Sequence, residues 1–586
     1  MDAVTPETMQ ETKPEIMQGF VFHEHPAVVP PLVDGRETKR HKVMIAGGGP
    51  VGLAAALALA KYGIPSVVIE ADTTVCKGSR ATCLSRRTFE IFDRLGVLDP
   101  FLEKGLGWTS GRSFHRGEEI LRFDMPHNSD QRLWPMTNLQ QYYVEQFLVD
   151  AIDRHRDLIE VRWGASVESV TQHQDGVRLT LQTNGTSYAA ECDWLIASDG
   201  ARSKVRQELG LRLNGTAYEG RYIIVDVGVD LGWPTGRLAW FDPPSNPGRT
   251  MLMHRQPDNV WRLDYQLHPG EDAEAMTKPE QVIPVVKAHF KMLGVDDKPW
   301  HLIWSSTYRA SALSLDEYVH GRVMFAGDAA HLVPIFGVRG LNSGFDDVFN
   351  LGWKLAGVIE GTSPPSLLDS YSHERHFAWR TNIMHAMKST EFMAPPSSGF
   401  RLMRDAVLSL AGKHPKLRSL INPRQTSVIH YIGSPLNTYS ADEASFARGP
   451  APGEALPEIK LIDRDGNEAC ITAQLLDGFT LLSFGVDGKT QGAMAAWAAT
   501  AVIPVATIAV RATATTDSKT ALSDPSGRFA EVYDAAPQAI FLVRPDGHVC
   551  ARWRSFDADA VAAALAKASG ADGSKQSRAG TIKVAS

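Results

Sequence analysis

The chain has 586 residues, a net charge of −7, and 43% hydrophobic against 22% charged residues. That length exceeds what one hydrophobic core supports, so several domains are expected, and the acidic balance leaves no electrostatic footprint for nucleic acid. Five scattered cysteines without C-x-x-C or Cys/His spacing predict no bound metal and a reducing, cytoplasmic compartment.

In chain order, residues 1–40 are acidic at the start and lack the basic and apolar regions of a signal peptide. Pro26, Pro30 and Pro31 interrupt them and no helical or strand period appears. They read as a flexible arm, with Phe20–Val29 strapped onto the body. From Lys42 the pattern sharpens. Val43–Ala46 is a short apolar run suited to a buried parallel strand, and Gly47, Gly49 and Gly52 follow as G-x-G-x-x-G. Leu53–Tyr62 is an Ala/Leu helix stopped by Gly63, and Val67–Ile69 is a second strand ending on Glu70. Gly47 makes the tight turn, Gly49 admits a pyrophosphate to the backbone, and Gly52 lets helix and strand pack closely. The helix N-terminus offers N–H groups and partial positive charge, and Glu70 stands where a carboxylate binds a ribose. Strand, glycines, helix, strand and acid in one unit predict an adenine dinucleotide.

Thr88, Ile91, Phe92 and Leu95 follow helical spacing and end at Gly96, with Arg80 in the loop before them. Val144, Phe147, Leu148, Ala151 and Ile152 share one face of another helix, with Gln141 in its first turn. Residues 159–197 read as strands. The last of these opens into Asp199-Gly200 and then Arg202, Lys204 and Arg206, a mouth that suits phosphate. Residues 210–320 carry many aromatics among short β-like runs and form a separate sheet layer. Arg322–Ala326 is a further buried strand, leading into Gly327-Asp328, the loop from Pro334, and a helix through Val358. Gly449–Pro457 is a linker into a small α/β unit. Gly492–Val510 alone has the uncharged length of a membrane span, but its Ala/Thr content and Pro504 favour a helix followed by a strand, so no membrane segment is expected.

The glycine turn, Asp199-Gly200 and Gly327-Asp328, in that order, resemble the single-component flavoprotein aromatic hydroxylases, the family of p-hydroxybenzoate hydroxylase and phenol hydroxylase. The resemblance covers about Lys42–Thr362. It implies an α/β fold, with a Rossmann-like FAD-binding domain over 41–395 interleaved with a β-sheet substrate domain at about 210–320. A helical connector at 396–450 and a tail at 571–586, read as disordered, flank a C-terminal domain at 451–570. That domain resembles the thioredoxin-like unit of the phenol and hydroxyphenylpropionate hydroxylase branch. Lacking C-x-x-C, it suits packing or a homodimer contact and not redox work.

By the same resemblance, Gly47, Gly49 and Gly52 hold the FAD pyrophosphate and Glu70 the adenosine ribose, while Arg80 and Gln141 line the cofactor. Asp199 and Gly200, with Ser203 and Arg206, match the family's DGxxSxVR, used for FAD and the passing NADH or NADPH. Gly327 and Asp328 hold the flavin's sugar-alcohol chain. Pro334 and the backbone of Gly340, Leu341 and Asn342 lie against its ring. The departures are Ile335, Val338 and Arg339, where the family usually has Pro, Gly and Gln. Arg339 either places a cation near reduced flavin or points to solvent. The implied reaction uses NAD(P)H and O2 to hydroxylate a small aromatic substrate through a flavin hydroperoxide. The residues His254, Arg255 and Tyr265, on an expected strand pair, are the candidates for catalysis, with Thr82 as a further pocket residue. Strand alternation prevents His254 and Arg255 from both facing the pocket, and His331 reads as part of the turn. Two other readings remain open: a reductase or epoxidase on the same scaffold, and a flavin-binding protein without turnover.

Overall fold

The computed structural model describes residues 16–421, 425–513 and 521–571. The apolar run Val43–Ala46 is the buried end of a longer strand, Arg36–Ala46. It pairs in parallel with Ser66–Ile69 and with Thr186–Ala197, and Val323–Phe325 adds to the latter. Register aligns Ile69 with Ala46, Ala46 with Ala197, and Ala197 with Phe325. These strands therefore finish at one level, the edge where open α/β sheets bind ligands. The helix Pro50–Ala60 starts with proline at its first turn, where the missing N–H is harmless, and buries almost every side chain. It is apolar all round because it lies between this sheet and the helices Gln141–Ile152 and Gly340–Glu360.

The start of the chain departs from the expected arm. From residue 16 on it forms a small hairpin, Ile16–Met17 with Phe20–Val21, and Leu32–Val33 pairs with the strand that begins at Arg36 and not at Lys42. Phe20 and Phe22 are buried against Tyr142 and Tyr143, and His25 stacks on Trp163 at 4.3 Å. Aromatic burial supplies the strap that periodicity did not announce.

A second sheet carries Asn214–Gly228, Arg237–Phe241, Thr250–Gln256, Val260–Gln266 and His301–Ser314. The hairpin Ser110–His115/Glu118–Asp124 joins it alongside Arg237–Phe241, so the expected 210–320 layer also draws on residues before 210. Alternation divides the sheet into two faces. Val225, Met251, Met253, Trp261, Leu263 and Tyr265 pack with Val282, Val286 and Phe290 of the covering helix Pro279–Leu293. The other face meets the cofactor-binding half of the chain.

Past residue 396 the connector holds, among the described residues, the α-helix Ser398–Ala411 and the 3-10 stretches Pro415–Leu420 and Glu443–Ser445. The C-terminal sheet pairs Phe479–Phe484 in parallel with Val505–Arg511 and antiparallel with Ile540–Val543, which continues into Val549–Trp553. A last helix, Ala558–Ala568, was not anticipated, and most of the expected disordered tail lies outside the described residues. Gly492–Val510 divides between the helix Gly488–Thr500 and the strand from Val505. Among the described residues no helix is long and apolar enough to cross a membrane.

Buried charges weld this unit to the rest. Glu374, on the helix Leu367–Met393, accepts hydrogen bonds from Lys354 (2.7 Å), Asn350 (2.8 Å), Ser434 (2.5 Å) and both terminal nitrogens of Arg544 (2.5 and 2.9 Å). Arg544 also pairs with Asp546, whose backbone carbonyl accepts from Arg87 at 2.7 Å. Arg375 next to Glu374 binds Asp347 at 2.6 Å and the Tyr431 hydroxyl at 2.6 Å.

Candidate active site

Three turns leave the aligned strand ends and meet. Gly47 adopts φ +99°, and a Cβ there would stand 2.5 Å from the Ser198 carbonyl oxygen, so the first and second turns lie in direct backbone contact. At Gly52 a Cβ would stand 1.9 Å from the Gly47 carbonyl, which only glycine tolerates. No side chain caps the helix that begins there, leaving its first N–H groups for a ligand. Glu70 lies across the turn: its carboxylate accepts from the Gly48 N–H at 2.6 Å and the Asp72 N–H at 2.9 Å. Burial pushes the Glu70 carboxyl up, against the pull of those donors.

Asp199 accepts from the Val205 N–H at 3.0 Å through one oxygen, while the other is buried without a partner. Ser203 caps the next helix through the Arg206 N–H at 3.0 Å. The Arg206 guanidinium donates to the carbonyls of Ala201 (2.6 Å) and Ala329 (2.9 Å), clasping the second and third turns together. In the third turn the Gly327 N–H and His331 both bind one oxygen of Asp347, at 2.9 and 2.7 Å, which gives His331 its place in the turn. The Asp328 side chain is open to water yet ringed by protein, the position of a group on the floor of a crevice. Its surroundings raise its carboxyl, with His331 and Arg80 opposing. Arg80 is exposed near it, whereas the Gln141 amide is committed to the Ala81 N–H (3.2 Å) and to Glu145 (2.9 Å). An uncapped helix start, glycines that exclude any Cβ, and carboxylates at both ends of one crevice fit a dinucleotide.

The loop from Pro334 leads into the helix Gly340–Glu360, whose first turn includes Gly340, Leu341 and Asn342 and has no side-chain cap. The Asn342 amide ties this turn to Ser85 (2.8 Å), Thr88 (2.6 Å) and the Val338 carbonyl (2.6 Å). Val338 sits at φ +53° and packs with Cys83, Trp108 and Met136. A β-branched residue there stores about 1–3 kcal/mol of strain. Arg339 is buried at 2% exposure and donates to the Phe336 carbonyl at 3.1 Å, so it does not point to solvent.

The second sheet closes the crevice. Arg262 binds Asp226 through two nitrogens (2.9 and 2.8 Å), the Arg80 carbonyl at 2.9 Å, the Ser79 carbonyl and the Thr82 hydroxyl. Arg262 thereby identifies the face turned to the cofactor loop. Cross-strand register puts His254 on that face, between Arg237 and Arg262. Arg255 and Tyr265 fall on the opposite face: Arg255 donates to the Trp233 carbonyl at 2.7 Å, and Tyr265 lies in the core under Pro279–Leu293. Their expected place in the pocket is corrected by alternation along the strands. His254 is buried, and desolvation with flanking Arg237 and Arg262 pushes its imidazole down to about 3, so it is neutral near pH 7. Thr82 is engaged by Arg262 and does not stand free in the pocket.

Comparison with known proteins decides the family. Residues 40–386 match the model of the FAD binding domain, and residues 449–571 match that of the aromatic-ring hydroxylase C-terminal domain. The chain belongs to the FAD-binding aromatic-ring hydroxylases. The hydroxylase is 27% identical over 543 residues to a 3-(3-hydroxy-phenyl)propionate/3-hydroxycinnamic acid hydroxylase of Burkholderia cenocepacia, covering 90% of this chain and 96% of that one. A Mycolicibacterium smegmatis protein described in the same words is 26% identical, covering 86% and 89%. Among solved structures, p-nitrophenol 4-monooxygenase from Pseudomonas putida is 27% identical with TM-score 0.56, covering 66% of this chain and 99% of that one. Aklavinone-11 hydroxylase, solved with FAD and aklavinone, shares the fold at TM-score 0.74 and 23% identity, covering 91% and 100%.

Sequence reasoning passed over several residues of the hydroxylase's crevice. Glu145 is buried beneath the 76–81 loop, accepting from the Cys76 N–H at 2.6 Å, and burial raises its carboxyl to about 7. Arg237 and Asp264 lie buried on the cofactor side of the second sheet. Period-two alternation pairs Asp264 with Arg262, but only Arg262's contacts with residues 79–82 show which way that face looks.

Proposed function

We propose that this hydroxylase uses NADH or NADPH and O2 to add a hydroxyl group to a phenolic ring bound between the second sheet and the loop from Pro334. Bound FAD supplies the redox and oxygen-activating chemistry. The N–H groups opening Pro50–Ala60 take its pyrophosphate, Glu70 the adenosine ribose, and Asp328, with Gly327 and Asp199-Gly200, the chain toward the flavin. The uncapped start of Gly340–Glu360 directs N–H dipoles at whatever negative charge develops beside Pro334 and Leu341. Tyr222, Leu252, Phe241 and Phe336 wall the pocket with apolar surface and keep water from it. His254 contributes a neutral imidazole there. The compounds in the relatives' names make 3-(3-hydroxyphenyl)propionate the first candidate substrate. A thioredoxin-like reading of the C-terminal unit is supported by its strand–helix–strand start and its strand–strand–helix end, with Ala521–Ser523 and Arg528–Tyr533 between them, and the unit serves as a structural clamp. The five cysteines, all free, suit a cytoplasmic setting.

The convergence of three turns at strand ends aligned in register carries this reading. Anaerobic reduction of the purified yellow protein by NADH or NADPH, with and without a panel of phenols and phenolic acids, tests it. The expected result is bleaching accelerated by one phenol and a hydroxylated product on admitting air. Bleaching that no aromatic accelerates, followed only by peroxide, would refute it.

A further inference from the structure

We propose that Asp264 takes the proton from the substrate's phenolic hydroxyl, and that Arg237, across two strands of the same sheet face, holds the phenolate that results. The proposal rests on the hydroxylase reading and names the acid–base pair for it. Its ground is a local anomaly of pairing. Asp264 is 5% exposed and Arg237 6% exposed, yet among the described residues neither side chain has a hydrogen bond or an ion pair. Between them lies His254, itself buried, with Nδ1 unpartnered. Asp264 Oδ1 and His254 Nδ1 are thus both buried without a partner beside the Arg237 guanidinium, which is rare, since each carries an uncompensated desolvation penalty.

Register brings them together. Arg237 stands opposite His254, His254 opposite Arg262, and Asp264 is the next residue beyond Arg262 on the same face, opposite Leu252 and Ile224. Arg262 is not available to close the gap, because Asp226 and the 79–82 segment occupy its donors. The groups facing Asp264 are Arg262 on its own strand, Asp226, His254, Arg237, and Cys83 from the facing 83–85 strand. Burial raises the Asp264 carboxyl to about 7, with Arg262 and Arg237 pulling down and Asp226 pushing up.

A phenol entering between these side chains satisfies both. Its O–H donates to Asp264 Oδ1; the O–H bond breaks, an Oδ1–H bond forms, and the ring oxygen keeps the electron pair as phenolate. Nothing is oxidised or reduced in this step. The phenolate oxygen then accepts from the Arg237 guanidinium, a charge-assisted bond that replaces the anion Arg237 lacks. An ionised ring is the better nucleophile toward an electrophilic oxygen. Near neutral pH the acceptor is poised between its forms, where proton transfer is most effective.

The test uses the holoenzyme with 3-(3-hydroxyphenyl)propionate, its deoxy analogue 3-phenylpropionate, and the variants Asp264→Asn, Asp264→Glu, Arg237→Met and, as a control from the opposite face, Tyr265→Phe. Binding is read from perturbation of the flavin spectrum, and ionisation from the phenolate band in the ultraviolet difference spectrum. Wild type is expected to show that band growing through about pH 7, far below the ordinary phenol value of about 10. Asp264→Asn should lose the band near pH 7 and about 100-fold or more in hydroxylation rate, Asp264→Glu should restore part of both, and Tyr265→Phe should change neither. Arg237→Met should move the onset of the band to higher pH. An unshifted band and pH–rate profile in Asp264→Asn overturns the assignment of Asp264. Equal weakening of both ligands by Arg237→Met, with the band unmoved, overturns the assignment of Arg237 and makes it a carboxylate anchor. Failure of the hydroxylase reading looks different: wild type then forms no oxygen-dependent product from the phenol.

Discussion

Two of the buried charge patches among the described residues are built on opposite plans. Where the helices Gly340–Glu360 and Leu367–Met393 meet the C-terminal sheet, Glu374, Lys354, Arg544, Asp546, Arg375 and Asp347 all have partners of opposite charge. On the cofactor face of the second sheet, Arg237 and Asp264 feel each other's charge, yet among the described residues neither makes an ion pair at contact distance. Both patches are out of water, so the difference is one of pairing and not of exposure. Saturated charges fix how two parts of a chain sit together. Unsaturated ones are held in a costly state that a ligand can relieve.

The contrast can be broken most forcefully at Glu374. Glu374→Gln leaves Lys354 without its carboxylate and Arg544 with Asp546 alone, and should destabilise the protein by about 3–5 kcal/mol in denaturant titrations. Asp347→Asn comes next, because Asp347 joins the paired patch to the Gly327 turn. Loss of charge-assisted bonds to Arg375, His331 and the Gly327 N–H should weaken FAD retention about 10- to 100-fold, read by flavin fluorescence on dilution. Burial opposes ionisation of this carboxyl, yet His331 and Arg375 hold it down to about 2. Its stabilisation is therefore full above about pH 4 and disappears as pH falls through about 2.

Removing an unpaired charge should do the reverse. The Asp264 carboxyl is raised to about 7 from an ordinary 3.8, so the folded state holds a proton that the unfolded chain releases between those values. Stability thus falls as pH rises through that window and stays low above it. Asp264→Asn should raise stability by about 1–3 kcal/mol at pH 8 and by less at pH 5, seen as thermal midpoints at the two pH values. The smallest effect belongs to Tyr265→Phe. Its hydroxyl is buried without a partner on the covered face, so the change should stay within about 0.5 kcal/mol and leave hydroxylation untouched.

What could be read in the sequence was what is local. Gly47–Gly52, Asp199-Gly200 and Gly327-Asp328 each announce a strand end followed by a turn, and each stands where expected. That the strands stop at one level is a matter of register, which no single motif carries. The alternation of Arg262 and Asp264 against Trp261, Leu263 and Tyr265 was equally legible, but its direction depends on contacts between Arg262 and residues about 180 positions away. Arg255 and Tyr265 were placed in the pocket for their chemistry and lie outside it because of that undetermined sign. Lys354 and Glu374 carry no local mark of burial in the sequence. Their burial becomes intelligible only once Arg544 arrives from another sheet.

Glu374 leaves the ribosome 170 residues ahead of Arg544, and Tyr62 precedes its partner Asp477 by 415. Throughout that interval of synthesis the cofactor-binding half carries Glu374 without Arg544, so the packing around Glu374 is completed only after residue 544 has been made. A chain cut before residue 544 is therefore expected to hold Glu374 and Lys354 buried without Arg544, and to unfold at a lower temperature than the full chain.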